Sequence, residues 1–173
     1  MTSSADRPQP PVRQSGGSAN EALDLGAVQV VDIVADVVHE LDKTGQRIQM
    51  VMERAPTIVA DSGKLAEVTS SLLRDALEAS SEDGPIEVEV AARCLAPNHD
   101  VGGTSASERE ECGASVSVAI RDRSPGSAKR QRIDNMLLSA HQILQLHKGR
   151  LWFAAETGQG RVAGFCLNSE RAA

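Results

Sequence analysis

Aromatic side chains are nearly absent from this sequence, which has one tryptophan, two phenylalanines and no tyrosine among its 173 residues. A hydrophobic core must therefore be built from aliphatic side chains, and the 40% apolar fraction supplies enough of them. Basic runs interleaved with aromatic residues are also missing, and the formal net charge is −6. We therefore expect no nucleic-acid partner.

Long apolar runs and paired cysteines are lacking as well. No apolar run approaches the roughly 20 residues that a membrane helix needs, and the N-terminal segment has no apolar stretch of the secretory type. The three cysteines, Cys94, Cys112 and Cys166, show no Cys-x-x-Cys spacing, which argues against a metal cluster or a disulfide framework. We expect no membrane segment and a cytoplasmic location.

Composition divides the chain into an ordered domain and two tails. Residues 1–22 are rich in proline, serine, glycine and glutamine and are predicted to form a disordered tail. The domain is predicted to cover residues 23–168, with a long surface loop at 94–113 that contains almost no apolar residues. Residues 169–173 are predicted to form a second, short tail.

The spacing of apolar residues predicts three helices and six strands. Helical spacing marks residues 27–41, 64–80 and 133–147. Alternation and short apolar runs mark strands at 47–53, 57–60, 86–90, 116–122, 151–155 and 162–167. The order of these elements predicts an α+β two-layer sandwich, in which a mixed, mostly antiparallel sheet carries three helices on one face.

Two acidic residues occupy informative positions. Asp61, followed by Ser62 and Gly63, is predicted to cap the helix that begins there. Asp122 shares the parity of Val118 and Ile120, so it is expected at the end of its strand on the buried side.

Several short segments, taken in order, carry a resemblance to a known family. They are TIVAD at 57–61 with KLAEV at 64–68, SLLRDALEAS at 71–80, VSVAIRDRSPG at 116–126, ILQLHKGRL at 143–151, and GQGRVAGFCL at 158–167. In this order they resemble the nucleotide-helix entry, the asparagine box, the Asp-x-Gly-x-Gly box, the Leu-His-x-Gly-Arg-Leu run and the closing glycine turn of sensor histidine kinases. The resemblance is to the ATP-binding domain of those bacterial kinases, a member of the GHKL superfamily, and covers about Val30 to Leu167.

The resemblance implies binding of ATP or ADP with Mg²⁺. The nucleotide-binding residues that it implies are Asp122 and Gly126 in one box, Ser71 and Asp75 in the asparagine box, and Gly158 and Gly160 in the closing turn. Asp122 would accept a hydrogen bond from the adenine amino group, and Asp75 would bind Mg²⁺ through oxygen. His147 corresponds to a structural histidine packed against the last turn of its helix.

Plainer interpretations of the same residues stay open. Asp122 could cap the turn that follows it, and Asp75 could be a solvated helix-face acid paired with Arg74 or Lys64. The two glycines at 158 and 160 could form a turn with no nucleotide role.

The sequence departs from the family pattern at the phosphate end of the implied site. Ser71 stands where the family has Asn or Glu, Asp75 where it has Asn, and Ser124 where it has the middle glycine. The second glycine box, expected at 135–140, contains no glycine. We therefore expect a regulatory or signalling module that binds ATP or ADP with little or no catalysis, and whose protein partner is unknown. An active kinase of the anti-sigma or histidine-kinase type and a nucleotide-free protein-interaction module are the alternatives.

Overall fold

The computed structural model describes residues 23–80, 84–93, 115–122, 135–156 and 160–168. The predictions for the two tails and for the loop at 94–113 lie outside these residues. Ten elements follow one another along the chain: β1 (Gly26–Val28), α1 (Val30–Leu41), β2 (Ile48–Met52), β3 (Ile58–Ala60), α2 (Ser62–Ala79), β4 (Ile86–Ala91), β5 (Ser115–Asp122), α3 (Asn135–Leu146), β6 (Arg150–Glu156) and β7 (Gly160–Asn168).

Five strands form the main sheet, in the order β2-β4-β5-β7-β6. The β2–β4 pair is parallel, because the chain crosses over through α2 between them. The three other neighbouring pairs are antiparallel. The prediction of a mixed, mostly antiparallel sheet in an α+β sandwich is confirmed.

The first described residues differ from the prediction. A helix was expected from residue 27, but residues 26–28 form β1 and α1 begins at Val30. β1 pairs with β3 in a separate two-stranded sheet, where Ala27 lies opposite Val59. The apolar spacing near residue 28 fits a helix or a strand, and the partner that selects the strand lies about thirty residues away, beyond any local pattern.

The core lies between the main sheet and the helices and is mostly aliphatic. The side chains of β4 and β5 that face the helices are at most 1% exposed: Ile86, Val88, Val90, Val116, Val118 and Ile120. They form one cluster with buried residues of all three helices, such as Val34 of α1, Leu72 of α2 and Leu144 of α3. This single cluster places the three helices on one face of the sheet, as predicted.

The opposite face of the sheet carries Trp152, which lies across Gly164. A Cβ atom at Gly164 would lie 2.4 Å from Cζ2 of the tryptophan ring and 2.5 Å from the carbonyl oxygen of Val118. Glycine is therefore needed here for close packing. Elsewhere on this face Arg121 bridges Glu87 and Glu89 at 3.0 and 2.7 Å, so this part of β4 is the polar face that its alternation indicates.

The connection from α1 to β2 is organised by Asp42. Its carboxylate accepts hydrogen bonds from the backbone N–H groups of Arg47 and Ile48, at 2.8 and 2.9 Å, and from the Thr44 hydroxyl at 2.8 Å. Burial alone would raise the pKa of Asp42, but these hydrogen bonds outweigh it and lower the pKa from 3.8 to about 2. Gly45 lies in this turn with a φ of 64°, which glycine adopts readily.

Candidate functional site

Asp122 and Arg161 lie side by side where β5 ends and β7 begins. Asp122 is the last residue of β5, and Arg161 lies directly opposite it in the antiparallel register. Alternate residues of a strand share a face of the sheet. Asp122 therefore lies on the same face as Val118 and Ile120, and Arg161 lies on the same face as Ala163 and Phe165. Both side chains face the helices. Asp122 is 1% exposed. The expectation that it is buried at the end of its strand is confirmed.

Asp75 of α2 joins this pair from the helix layer. Nη2 of Arg161 lies 2.7 Å from the Asp75 carboxylate oxygen Oδ2 and donates to the Asp75 backbone carbonyl at 2.9 Å. The two side chains are only 11% and 17% exposed. We call Asp75, Asp122 and Arg161 the site cluster; it contains two carboxyl groups and one guanidinium, and it ties β7 to α2.

The alternative interpretation, in which Asp75 pairs with Arg74 or Lys64, is wrong. Lys64 Nζ lies 3.5 Å from Glu67, and Arg74 Nε donates to the Ser70 hydroxyl at 3.2 Å. Both of those bonds lie within α2, whereas the cation on Asp75 comes from a residue 86 positions further along the chain. Asp75 is thus part of a contact between two layers and is not a solvated helix-face acid.

Ser71 lies one turn before Asp75 on α2, so the two residues share a face of the helix. Its hydroxyl donates to the Glu67 carbonyl oxygen at 2.8 Å. This is the common back-bond of a serine to the residue four positions earlier in a helix. The hydroxyl proton is therefore engaged in a hydrogen bond within α2.

Gly160 begins β7 immediately before Arg161 and is buried. Its φ of 96° lies in the region that favours glycine, so this residue has a backbone reason to be glycine. Gly126 and Gly158, the two other glycines implied as nucleotide-binding residues, lie outside the described residues. The segment 135–140, where the resemblance places a second glycine box, forms the first turns of α3.

His147 connects the end of α3 to the start of α2. Its Nε2 accepts the backbone N–H of Asp61 at 3.0 Å, and its Nδ1 donates to the Ile143 carbonyl oxygen at 2.8 Å. These partners require the neutral ring with the proton on Nδ1. The structural role predicted for His147 is confirmed.

The side chain of Asp61 caps α2, as predicted, by accepting from the Lys64 N–H at 3.0 Å. It also accepts from the Asp24 N–H at 2.9 Å. The Lys64 N–H bond, with a smaller contribution from the Asp24 N–H, lowers the pKa of Asp61 against the opposing effect of burial. A negative charge at this end of α2 also interacts favourably with the helix dipole.

Arg161 is the residue of the site cluster that the sequence patterns did not identify. The alternation of β7 would have shown it, because Arg161 has the same parity as Phe165 and therefore points into the core side of the sheet. The alternation is weak in the sequence because β7 is buried on both faces. Val162 and Cys166 on the face away from the helices are as apolar as the residues on the core face.

The described residues contain no group of three or more His, Cys, Asp or Glu side chains arranged to hold a metal ion. Nor does the described part of the chain include a helix with the length and apolar character needed to cross a membrane.

The fold is that of histidine-kinase ATP-binding domains, so the resemblance noted in the sequence is confirmed at the level of the fold. Similar structures include the cytoplasmic segment of the histidine kinase QseC, at 14% identity over 87% of this chain and 82% of that one, with a TM-score of 0.61. The ATP-binding domain of PrrB from Mycobacterium tuberculosis matches at 16% identity over 86% and 99%, with a TM-score of 0.58.

Full-length ShkA, solved in complex with AMPPNP, matches at 20% identity over 91% of this chain and 34% of its own, with a TM-score of 0.66. No protein-family model and no curated protein matches the sequence. At these identities the likeness establishes the fold alone, and the activity has to be argued from the residues of this chain.

Proposed function

We propose that this chain is a regulatory module that binds ATP or ADP on a histidine-kinase ATP-binding fold and has little or no catalytic activity of its own. A cytoplasmic location and a signalling protein as partner belong to the same proposal. The observation that carries it is the position of Asp122, a carboxyl group that is 1% exposed at the end of β5 and faces the helix layer.

The two oxygens of a carboxylate can accept several hydrogen bonds, so Asp122 can accept one from a ligand in addition to its contacts within the protein. The exocyclic amino group of adenine is a donor of this kind, and a bond to a carboxylate is stronger than one between neutral groups. The resemblance in sequence assigns this contact to Asp122, and the position of Asp122 in the fold agrees with that assignment. The nucleotide named in the ShkA complex and the naming of the PrrB domain as ATP-binding support the same class of ligand.

The proposed lack of catalysis is supported by Ser71 and Asp75, the two residues at the asparagine-box positions. The Ser71 hydroxyl donates to a helix carbonyl, and a serine hydroxyl has a pKa far too high for a general base at neutral pH. Asp75 is held by Arg161 at 2.7 Å. Neither side chain is therefore placed to activate an attacking group.

Calorimetry of the full chain with ATP and ADP tests the proposal. We expect saturable binding by the wild type, loss of binding in Asp122→Ala, and unchanged binding in Asp36→Asn, which alters an exposed acid on α1. A saturating nucleotide at about 100 times its Kd should add roughly 2.7 kcal/mol of stability, which a thermal shift detects. Equal affinity in the wild type and in Asp122→Ala would rule out the assigned contact.

A nucleotide-free protein-interaction module is the second candidate. It is favoured by the Asp75–Arg161 ion pair, because this pair neutralises a carboxylate of the cluster inside the protein. Absence of heat and of a thermal shift with both nucleotides would select this candidate.

A further inference from the structure

The chemistry of the site cluster does not match the Mg²⁺ site that the sequence resemblance implies. The one residue with a predicted role as a magnesium ligand is Asp75, and its carboxylate already lies 2.7 Å from the Arg161 guanidinium. In proteins Mg²⁺ is bound by carboxylates whose negative charge is not already neutralised. Oxygen atoms surround the ion in a nearly octahedral arrangement. A carboxylate that is neutralised by a fixed cation is a poor ligand for a second one.

Arg161 cannot easily move aside to admit a metal ion. Its side chain is 11% exposed, and the same Nη2 atom also donates to the Asp75 carbonyl. Displacing it would leave a mostly buried guanidinium away from the carboxylate that compensates it, which is strongly unfavourable. The antiparallel register also fixes the Arg161 backbone next to Asp122.

We propose that Arg161 takes the place of the divalent cation in this protein, so that the nucleotide binds equally well with and without Mg²⁺. This inference rests on the proposed function, since it concerns the nucleotide that function requires. An arginine guanidinium is effectively always charged in proteins. The positive charge next to Asp75 is therefore permanent and independent of the metal concentration.

Calorimetry with ADP and ATP tests this in two buffers, one with millimolar Mg²⁺ and one with EDTA. For the wild type we expect Kd values that agree within about threefold between the two buffers, a difference of well under 1.4 kcal/mol. In Arg161→Gln the Asp75 carboxylate loses the guanidinium and should repel the phosphates, so binding should weaken in EDTA and recover by about tenfold or more with Mg²⁺. Arg74→Gln is the matched control, because it removes an arginine next to Asp75 in sequence whose Nε contacts Ser70 instead.

A second measurement needs neither a variant nor a nucleotide. Mn²⁺ added alone to the wild type broadens the NMR signals of residues near any site that takes a divalent cation. We expect no selective broadening around Asp75 on α2.

The outcomes separate the two claims. Wild-type binding that weakens by about tenfold or more in EDTA would overturn this inference and leave the proposed function standing. Absence of binding in both buffers would overturn the proposed function and the nucleotide part of this inference. Selective broadening by Mn²⁺ at Asp75 would overturn the replacement of the cation by Arg161, whether or not the nucleotide binds.

Discussion

Removing the Asp75–Arg161 ion pair should destabilise the fold in an asymmetric way. Arg161→Ala removes the two contacts of the guanidinium with residue 75, at 2.7 and 2.9 Å, and leaves the carboxylate of Asp75 mostly buried. Asp75→Ala leaves the backbone carbonyl of residue 75 in place as an acceptor. Breaking a buried pair from one side costs roughly 3–5 kcal/mol, and the exposures of 11% and 17% place this pair at the lower end of that range.

We therefore expect a loss of about 3 kcal/mol for Arg161→Ala and about 2 kcal/mol for Asp75→Ala. The double variant leaves neither charge without its partner, so its loss should be about 3 kcal/mol, well below the summed losses of about 5. The difference is a coupling energy of about 2 kcal/mol, which a double-mutant cycle measures from urea unfolding at constant m-value.

A coupling energy below about 0.5 kcal/mol would refute this reasoning, because it would mean that the two side chains act independently. The exposed Arg93–Glu53 pair is the control. Its side chains are 55% and 46% exposed, and solvent and salt screen such pairs. The same cycle on that pair should give almost no coupling.

Three further changes have expected results. His147→Leu removes the acceptor of the Asp61 N–H and should cost about 1–3 kcal/mol in chemical unfolding. Gly164→Ala forces a Cβ to within 2.4 Å of Trp152 and should cost about 1–3 kcal/mol, with a change in tryptophan fluorescence. Asp42 has a lowered pKa, so its stabilisation is present above pH 3.8 and is lost as the pH falls through about 2. The free energy of unfolding, measured as a function of pH, should therefore fall less steeply below pH 3.8 in Asp42→Asn than in the wild type.

Matched controls exist for each of these changes. His39→Leu replaces an exposed histidine of α1, and Gly63→Ala adds a Cβ whose nearest neighbour lies at 3.5 Å, an ordinary contact. Asp36→Asn neutralises an exposed acid. A control that loses as much stability as its partner variant would contradict the explanation given for that variant.

The sequence predicted those parts of the fold that depend on local periodicity. The alternation of Val116, Val118 and Ile120 was enough to place Asp122 on the buried side, because one face of a strand follows from its parity. Asp61 was found as a helix cap because the cap bonds to a residue three positions away.

The parts that depend on distant partners were not predictable in this way. β1 forms because β3 pairs with it, and the local sequence of residues 26–28 fits a helix equally well. The partner of Asp75 is 86 residues away, so the local alternatives Arg74 and Lys64 were the ones that sequence spacing could offer. Contacts between layers are set by packing, which a single sequence does not display.

The two hydrogen-bonded links described for α2 show why the site cluster and the fold are coupled. At its start, the Asp61 N–H is held by His147, and further along, the Asp75 carbonyl and carboxylate are held by Arg161. Both anchors come from the C-terminal part of the chain, and each spans 86 residues. The segment from α3 to β7 therefore helps to set the position of α2 over the sheet, together with the packing of α2 on α1 and on the core. A partner protein that displaced α3, and with it His147, would alter the proposed nucleotide site without touching Asp75 or Asp122.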